Sequence, residues 1–166
     1  MKILVLGDVM GSSGRKALKK NLSKILKEND ISFSVINGEN AADDGKGITK
    51  KIADELFSQG IDVITSGNHI WDKSETTRYI EEENRLLRPA NMIPGSPGRG
   101  YGIYLSKNKK FKIGVINLMG NVFMRKTEDV FKSAKDIFGK IILKKNVDFS
   151  VVDFHGEITS EKMAIG

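Results

Sequence analysis

An α/β fold is expected for this 166-residue chain from three observations. Short continuous apolar runs such as Ile3-Leu4-Val5-Leu6 end in glycine or polar residues, the pattern of parallel strands buried on both faces. Segments with apolar residues at helical spacing separate these runs, and that alternation predicts strand–helix–strand units. Four strand ends carry polar clusters, Asp8, Glu39-Asn40, Asn68-His69 and His155, where ligands bind in such folds.

The elements follow in order. Ile3 to Leu6 reads as a fully buried parallel strand ending at Gly7-Asp8. Gly11 to Gly14 reads as a loop with an N-cap, and Leu18, Leu22, Ile25 and Leu26 give a helix to about Asn29. Phe33 to Ile36 is a second strand, followed by Asn37-Gly38-Glu39-Asn40 and a glycine-bearing loop to Gly47. Ile48, Ile52, Leu56 and Phe57 mark a second helix that Gly60 stops. Ile61 to Ile64 is a third strand and delivers Thr65-Ser66-Gly67-Asn68-His69-Ile70-Trp71-Asp72. Asp72 and Glu75 have capping-box spacing for a helix to about Glu83. The prolines cluster between Pro89 and Pro97 in a glycine-rich surface loop. Ile103 to Leu105 and Lys112 to Leu118 are strands around a Lys107–Lys110 turn. Thr127 is expected to cap a helix with Phe131, Ala134, Ile137, Phe138 and Ile141 on its apolar face. Val147 to Phe154 is a last strand ending at His155-Gly156-Glu157, and Thr159 to Gly166 begins like a helix.

Composition sets the outer limits. With 39% hydrophobic and 29% charged residues, the chain is globular rather than disordered, and residues 1–166 are expected to form one domain. No apolar run approaches the ~20 residues of a membrane span. The N-terminal apolar run is too short for a secretory signal, so the cytoplasm is the expected compartment. Cysteine is absent, which excludes disulfides and thiolate chemistry. A net charge of +6 admits nucleic acid, including RNA, or phosphate-bearing ligands. The plainer account is lysines such as Lys16, Lys19, Lys20, Lys24 and Lys27 on a solvated helix face, without interleaved aromatic residues for base stacking.

Asp, Glu, Asn and His make a mixed oxygen and nitrogen donor set suited to Mn, Fe, Zn or Mg. Two metals ~3.5–4 Å apart clamp a phosphate for in-line attack. A carboxylate usually bridges them, and Glu39 is placed to serve. A nearby free imidazole could protonate the leaving oxygen. Taken singly, each residue has a simpler role. Asp8 could cap the next loop, Asn40 and Asn68 could be turn residues, His155 could be structural, and Trp71 could be packing. Gly7, Gly11 and Gly14 fit neither the dinucleotide fingerprint nor the P-loop spacing. The polar residues carry weight as a set.

Five blocks carry a resemblance: Gly7-Asp8-Val9-Met10-Gly11, Asn37-Gly38-Glu39-Asn40-Ala41-Ala42, Thr65 through Asp72, Arg88-Pro89-Ala90-Asn91-Met92, and Val152 through Glu157. With these the sequence resembles the YmdB-type calcineurin-like metallophosphoesterases, a group of cyclic-nucleotide phosphodiesterases, essentially end to end. The resemblance implies a metallophosphatase sandwich of sheets flanked by helices. It implies a centre of two divalent or mixed-valence metal ions, with Asp8 and Asn40 on one, Asn68 and His155 on the other, and Glu39 bridging. His69 would be the general acid, and 2′,3′- or 3′,5′-cyclic nucleotides the substrates.

One departure bears on activity. Family members continue past the position of Gly166 into a Gly-Thr-His-Thr-His segment whose histidines complete the metal shells, whereas His69 and His155 are the histidines here. Exposed strand edges, an uncovered apolar face and weak or absent phosphodiesterase activity of these residues alone are therefore expected. The alternative is a catalytically weak metal- or phosphate-binding module that works through a partner, a second copy or a complementing chain.

Overall fold

The apolar runs assemble into two three-stranded sheets that pack face to face. The computed structural model describes residues 1–166. The first sheet is parallel, in the order β1 (Ile3–Asp8), β2 (Phe33–Asn37) and β3 (Val63–Thr65). In the second, β5 (Lys112–Met119) lies between antiparallel β4 (Tyr101–Leu105) and parallel β6 (Phe149–His155). The helices are α1 (Gly11–Glu28), α2 (Lys50–Ser58), α3 (Ser74–Glu82), α4 (Val130–Phe138) and α5 (Thr159–Ile165). None is long and apolar enough to cross a membrane.

Alternation along each strand sorts side chains between the faces. Phe33, Val35 and Val63 fill the gap between the sheets against Ile113 and Val115. Ile36 and Ile64 pack on the other side with Leu22 of α1, Ile52 and Leu56 of α2, and Ile80 of α3, and Trp71 joins that cluster. Beyond the second sheet, Ile116 and Leu118 pack on Val130, Ala134 and Ile137 of α4. Burying each such side chain stabilises the fold by roughly 1.5–3 kcal/mol. Two polar contacts also cross between the sheets. Asn37 Nδ2 donates to Asp153 Oδ2 at 3.1 Å, and Ser66 N donates to the buried Asn117 Oδ1 at 2.9 Å.

Local interactions set the ends and faces of the helices. Thr49 Oγ1 accepts from Ile52 N at 3.2 Å and caps α2, a contact worth ~1 kcal/mol. Gly60, at φ +101°, ends that helix in the left-handed region that glycine adopts without steric cost. The lysines of α1 are exposed.

Other local expectations fail for physical reasons. Strand β1 is not buried on both faces, because it is the edge of its sheet with no strand beyond it; Val5 is 56% exposed. Phe149 on the edge strand β6 is 40% exposed, so the expected free edges and uncovered apolar surface are present. Helix α1 starts at Gly11 rather than after Gly14, without a side-chain cap. The Gly11 amide donates to Asn40 O and the Gly14 amide to Met10 O, so these glycines do not form a free phosphate cradle. The Asp72–Glu75 capping box does not form. Asp72 is engaged by His69, and Glu75 Oε1 accepts from Lys50 N across to α2. Asp129, not Thr127, caps α4, because Asn91 and Asn121 occupy the Thr127 hydroxyl. Phe131 and Phe138 lie outside, and Val130 takes the buried position beside Ala134 and Ile137.

Asn117→Ala should leave the Ser66 amide unpaired between the sheets. Urea unfolding should show a loss of about 1–3 kcal/mol, whereas an unchanged midpoint would remove Asn117 as a tie between the sheets.

Candidate active site

Parallel strands that end together bring their C-terminal loops to one edge. Asp8 closes β1, and Glu39 and Asn40 follow β2 after Asn37-Gly38. Asn68 and His69 follow β3, and His155 closes β6 in the opposite sheet. Five of the six expected residues form one connected chain of contacts. Asn40 Nδ2 donates to Asp8 Oδ2 at 2.6 Å and lies 3.3 Å from Glu39 Oε1. His155 Nε2 lies 3.0 Å from Glu39 Oε1 and 3.1 Å from Asn68 Oδ1. Both neighbours of that nitrogen are acceptors, so it carries the hydrogen.

Glu39 is the deepest member at 1% exposure. The Asn37 side chain fixes its backbone by accepting from Glu39 N at 3.1 Å. Its Oε1 faces His155 and Asn40, while its Oε2 is buried without any hydrogen-bond partner. A buried carboxylate oxygen left unpaired is costly and calls for a cation or other donor. Gly67 keeps that space open. A Cβ at Gly67 would stand 1.9 Å from Glu39 Oε2 and 2.5 Å from His155 Cδ2. Asn40 donates through its nitrogen, so its oxygen remains an acceptor for a cation. The orphaned oxygen, the space beside it and the oxygen–imidazole donor set fit divalent metal. No three His, Asp or Glu side chains come together as a ready metal site, so both asparagines are needed to extend the donor set.

Electrostatics bind His155 to this cluster. Burial disfavours charging its ring, but the Glu39 hydrogen bond and the charges of Glu39, Asp153 and Asp8 outweigh burial and raise its pKa. Metal would have to replace the Nε2 proton.

His69 stands apart from the five. Its Nδ1 pairs with Asp72 Oδ2 at 2.7 Å, which leaves Nε2 without a protein partner, and the side chain is 26% exposed. Arg125 approaches the other Asp72 oxygen at 3.5 Å. Sequence reasoning assigned Asp72 to a helix cap, gave no role to Asn37 and Asp153, and did not single out Arg125 or Asn117. The His69-x-x-Asp72 spacing could have signalled the first pair; the others depend on contacts across the fold.

The family model for YmdB-like proteins matches residues 4–166. The chain belongs to the YmdB-like family. It is 43% identical over 166 residues to the 2′,3′-cyclic-nucleotide 2′-phosphodiesterase of Bacillus subtilis (strain 168), covering 100% of this chain and 61% of that protein. Among solved structures, a hypothetical protein from Thermus thermophilus matches with TM-score 0.88 and 32% identity over 99% of this chain and 62% of its own. A novel phosphatase from Mycoplasma pneumoniae matches with TM-score 0.87 and 33% identity, over 99% and 58%. The 5′-nucleotidase of Candida albicans, at TM-score 0.59 and 12% identity over 96% and 37%, shares the fold alone. This YmdB-like chain thus spans about three fifths of the length of the curated relatives it matches. The α/β sandwich expected from the sequence is the fold found here.

Two outcomes follow from this geometry. Gly67→Ala should push Glu39 and His155 apart and weaken manganese binding by about 10–100-fold in a calorimetric titration; unaltered affinity would detach Gly67 from the site. Without metal, the Glu39–His155 pair stabilises the fold fully below about pH 6.5, and this contribution is lost as pH rises through the raised His155 pKa. Manganese should therefore raise the thermal midpoint more near pH ~8 than near pH ~6, and His155→Gln should abolish the difference. A larger metal effect at the lower pH would contradict the assignment.

Proposed function

We propose that this YmdB-like chain carries a two-metal phosphodiesterase site whose substrates are 2′,3′- or 3′,5′-cyclic nucleotides. The carrying observation is the buried Glu39 carboxylate, unpartnered at Oε2 and flanked by Asp8–Asn40 and by His155–Asn68. The similarity to the 2′,3′-cyclic-nucleotide 2′-phosphodiesterase of Bacillus subtilis supports the 2′,3′-cyclic-nucleotide assignment. Asp8 and Asn40 would hold one ion, Asn68 and His155 the other, with Glu39 shared, and Mn, Fe, Zn or Mg suits these donors. Bound ions supply Lewis-acid polarisation of the phosphate and a water of lowered pKa.

The protein's own part in the reaction is proton delivery and positioning. His69 Nε2 gives its proton to the leaving oxygen as the phosphorus–oxygen bond breaks, a general-acid step. A water oxygen forms the new bond to phosphorus and loses its proton to solvent. Asp72 accepts the Nδ1 hydrogen and fixes the ring, which leaves Nε2 free to face the leaving oxygen. Arg125 holds the other Asp72 oxygen at 3.5 Å and so helps to fix the carboxylate beside the ring.

A second reading is a weak metal- or phosphate-binding module completed by a partner or a complementing chain. The reliance of the donor set on two asparagines, with no three His, Asp or Glu side chains clustered, favours it. Elemental analysis with turnover of 2′,3′-cyclic AMP, 3′,5′-cyclic AMP and bis-p-nitrophenyl phosphate separates the two. Bound metal with turnover supports the enzyme, whereas bound metal with no turnover of any substrate supports the module. A chain that neither binds metal nor cleaves these esters would sink both.

His69→Ala should lower kcat on cyclic nucleotides by about 10²–10⁴-fold. The loss should be much smaller on bis-p-nitrophenyl phosphate, whose leaving group needs little protonation. Equal losses on both substrates would remove His69 as the proton donor.

A further inference from the structure

The segment of residues 120–127, between β5 and α4, rims the candidate site. One end is tied to the site by Gly120 N, which donates to His155 O at 2.9 Å. Toward the other end, Arg125 lies 3.5 Å from Asp72, the partner of His69. The middle is braced from α5: the buried Glu161 carboxylate accepts from Asn121 N at 2.8 Å and from Val122 N at 3.3 Å. Asn121 Nδ2 adds a bond to Thr127 Oγ1 at 2.8 Å. On this braced segment Phe123 has φ +61° and is 86% exposed.

Two features make Phe123 more than a stray surface residue. A bulky side chain in the left-handed region is strained, and such strain persists where the surroundings hold it. The bracing by Glu161 and Asn121 supplies that restraint. The presented group is an aromatic ring, set in sequence between the anchor to His155 and the arginine beside the His69–Asp72 pair.

We infer that Phe123 is the platform on which the base of a cyclic-nucleotide substrate stacks while its phosphate occupies the cluster around Glu39. The inference rests on the phosphodiesterase reading above. An aromatic face accepts any nucleobase, because every base offers a π-face, and the contact needs no specific hydrogen bonds. Phe123 thereby favours nucleotides over phosphodiesters that lack a base.

Equilibrium binding on the manganese-loaded chain tests this with 2′,3′-cyclic AMP and with glycerol 1,2-cyclic phosphate, which has no base. Phe123→Ala should weaken cyclic AMP binding about tenfold or more and leave the glycerol ester unchanged, and Phe123→Trp should restore the affinity. Equal weakening of both ligands, the mark of a purely structural role, overturns the proposal; so does no change in either. Turnover is read separately. Hydrolysis with a Phe123-independent kcat/KM for cyclic AMP keeps the phosphodiesterase and removes the stacking role. Base-dependent binding without hydrolysis does the reverse, and a wild-type chain that binds neither ligand removes both.

Discussion

A single buried carboxylate sets the terms for the rest of the molecule. Glu39 lies at 1% exposure with one oxygen against His155 and the other unpartnered. An isolated charge there would be strongly destabilising, so the surrounding elements are arranged to compensate it. Asn37 holds its backbone, Asn40 links it to Asp8, and Gly67 gives up a side chain to leave room beside it. The second sheet contributes His155. The docking of the two sheets is therefore specified by polar pairing as well as by the apolar contacts of Phe33, Val35, Ile113 and Val115.

The same arrangement divides the molecule into a well-covered side and an open one. Helices α1 to α3 shield the first sheet, and α4 shields the second. Edge strands β1 and β6 carry Val5 and Phe149 with substantial exposure. Parallel edges with free main-chain groups invite pairing with another strand. The donor residues at the ends of these two strands thus sit on the least protected part of the frame.

Much of this was legible because it depends on local pattern. Apolar runs separated by helical periodicity identified the strands, and Gly60 ended α2 for a reason that holds in any context. The strand-end residues Asp8, Glu39, Asn40, Asn68 and His155 stood out because short polar groups after apolar runs have little packing value. What the chain did not reveal depends on neighbours far away in sequence. Val5 reads as buried until β1 is known to be an edge. Asp72 reads as a cap until the His69 ring is found beside it, taking the carboxylate oxygen that a cap would use. Asn117 looks like any strand residue until the Ser66 amide meets it from the opposite sheet.

The contacts that close the cluster also span the chain. Asn37 meets Asp153 across 116 positions, and Asn68 meets His155 across 87. Long-range pairings of this kind form slowly, since the intervening chain must first be ordered. During synthesis Glu39 must wait, hydrated, until β6 has emerged and docked. The cluster around Glu39 is thus a late product of folding, and ion uptake at the proposed centre would mark the moment at which the two halves of the sandwich have met.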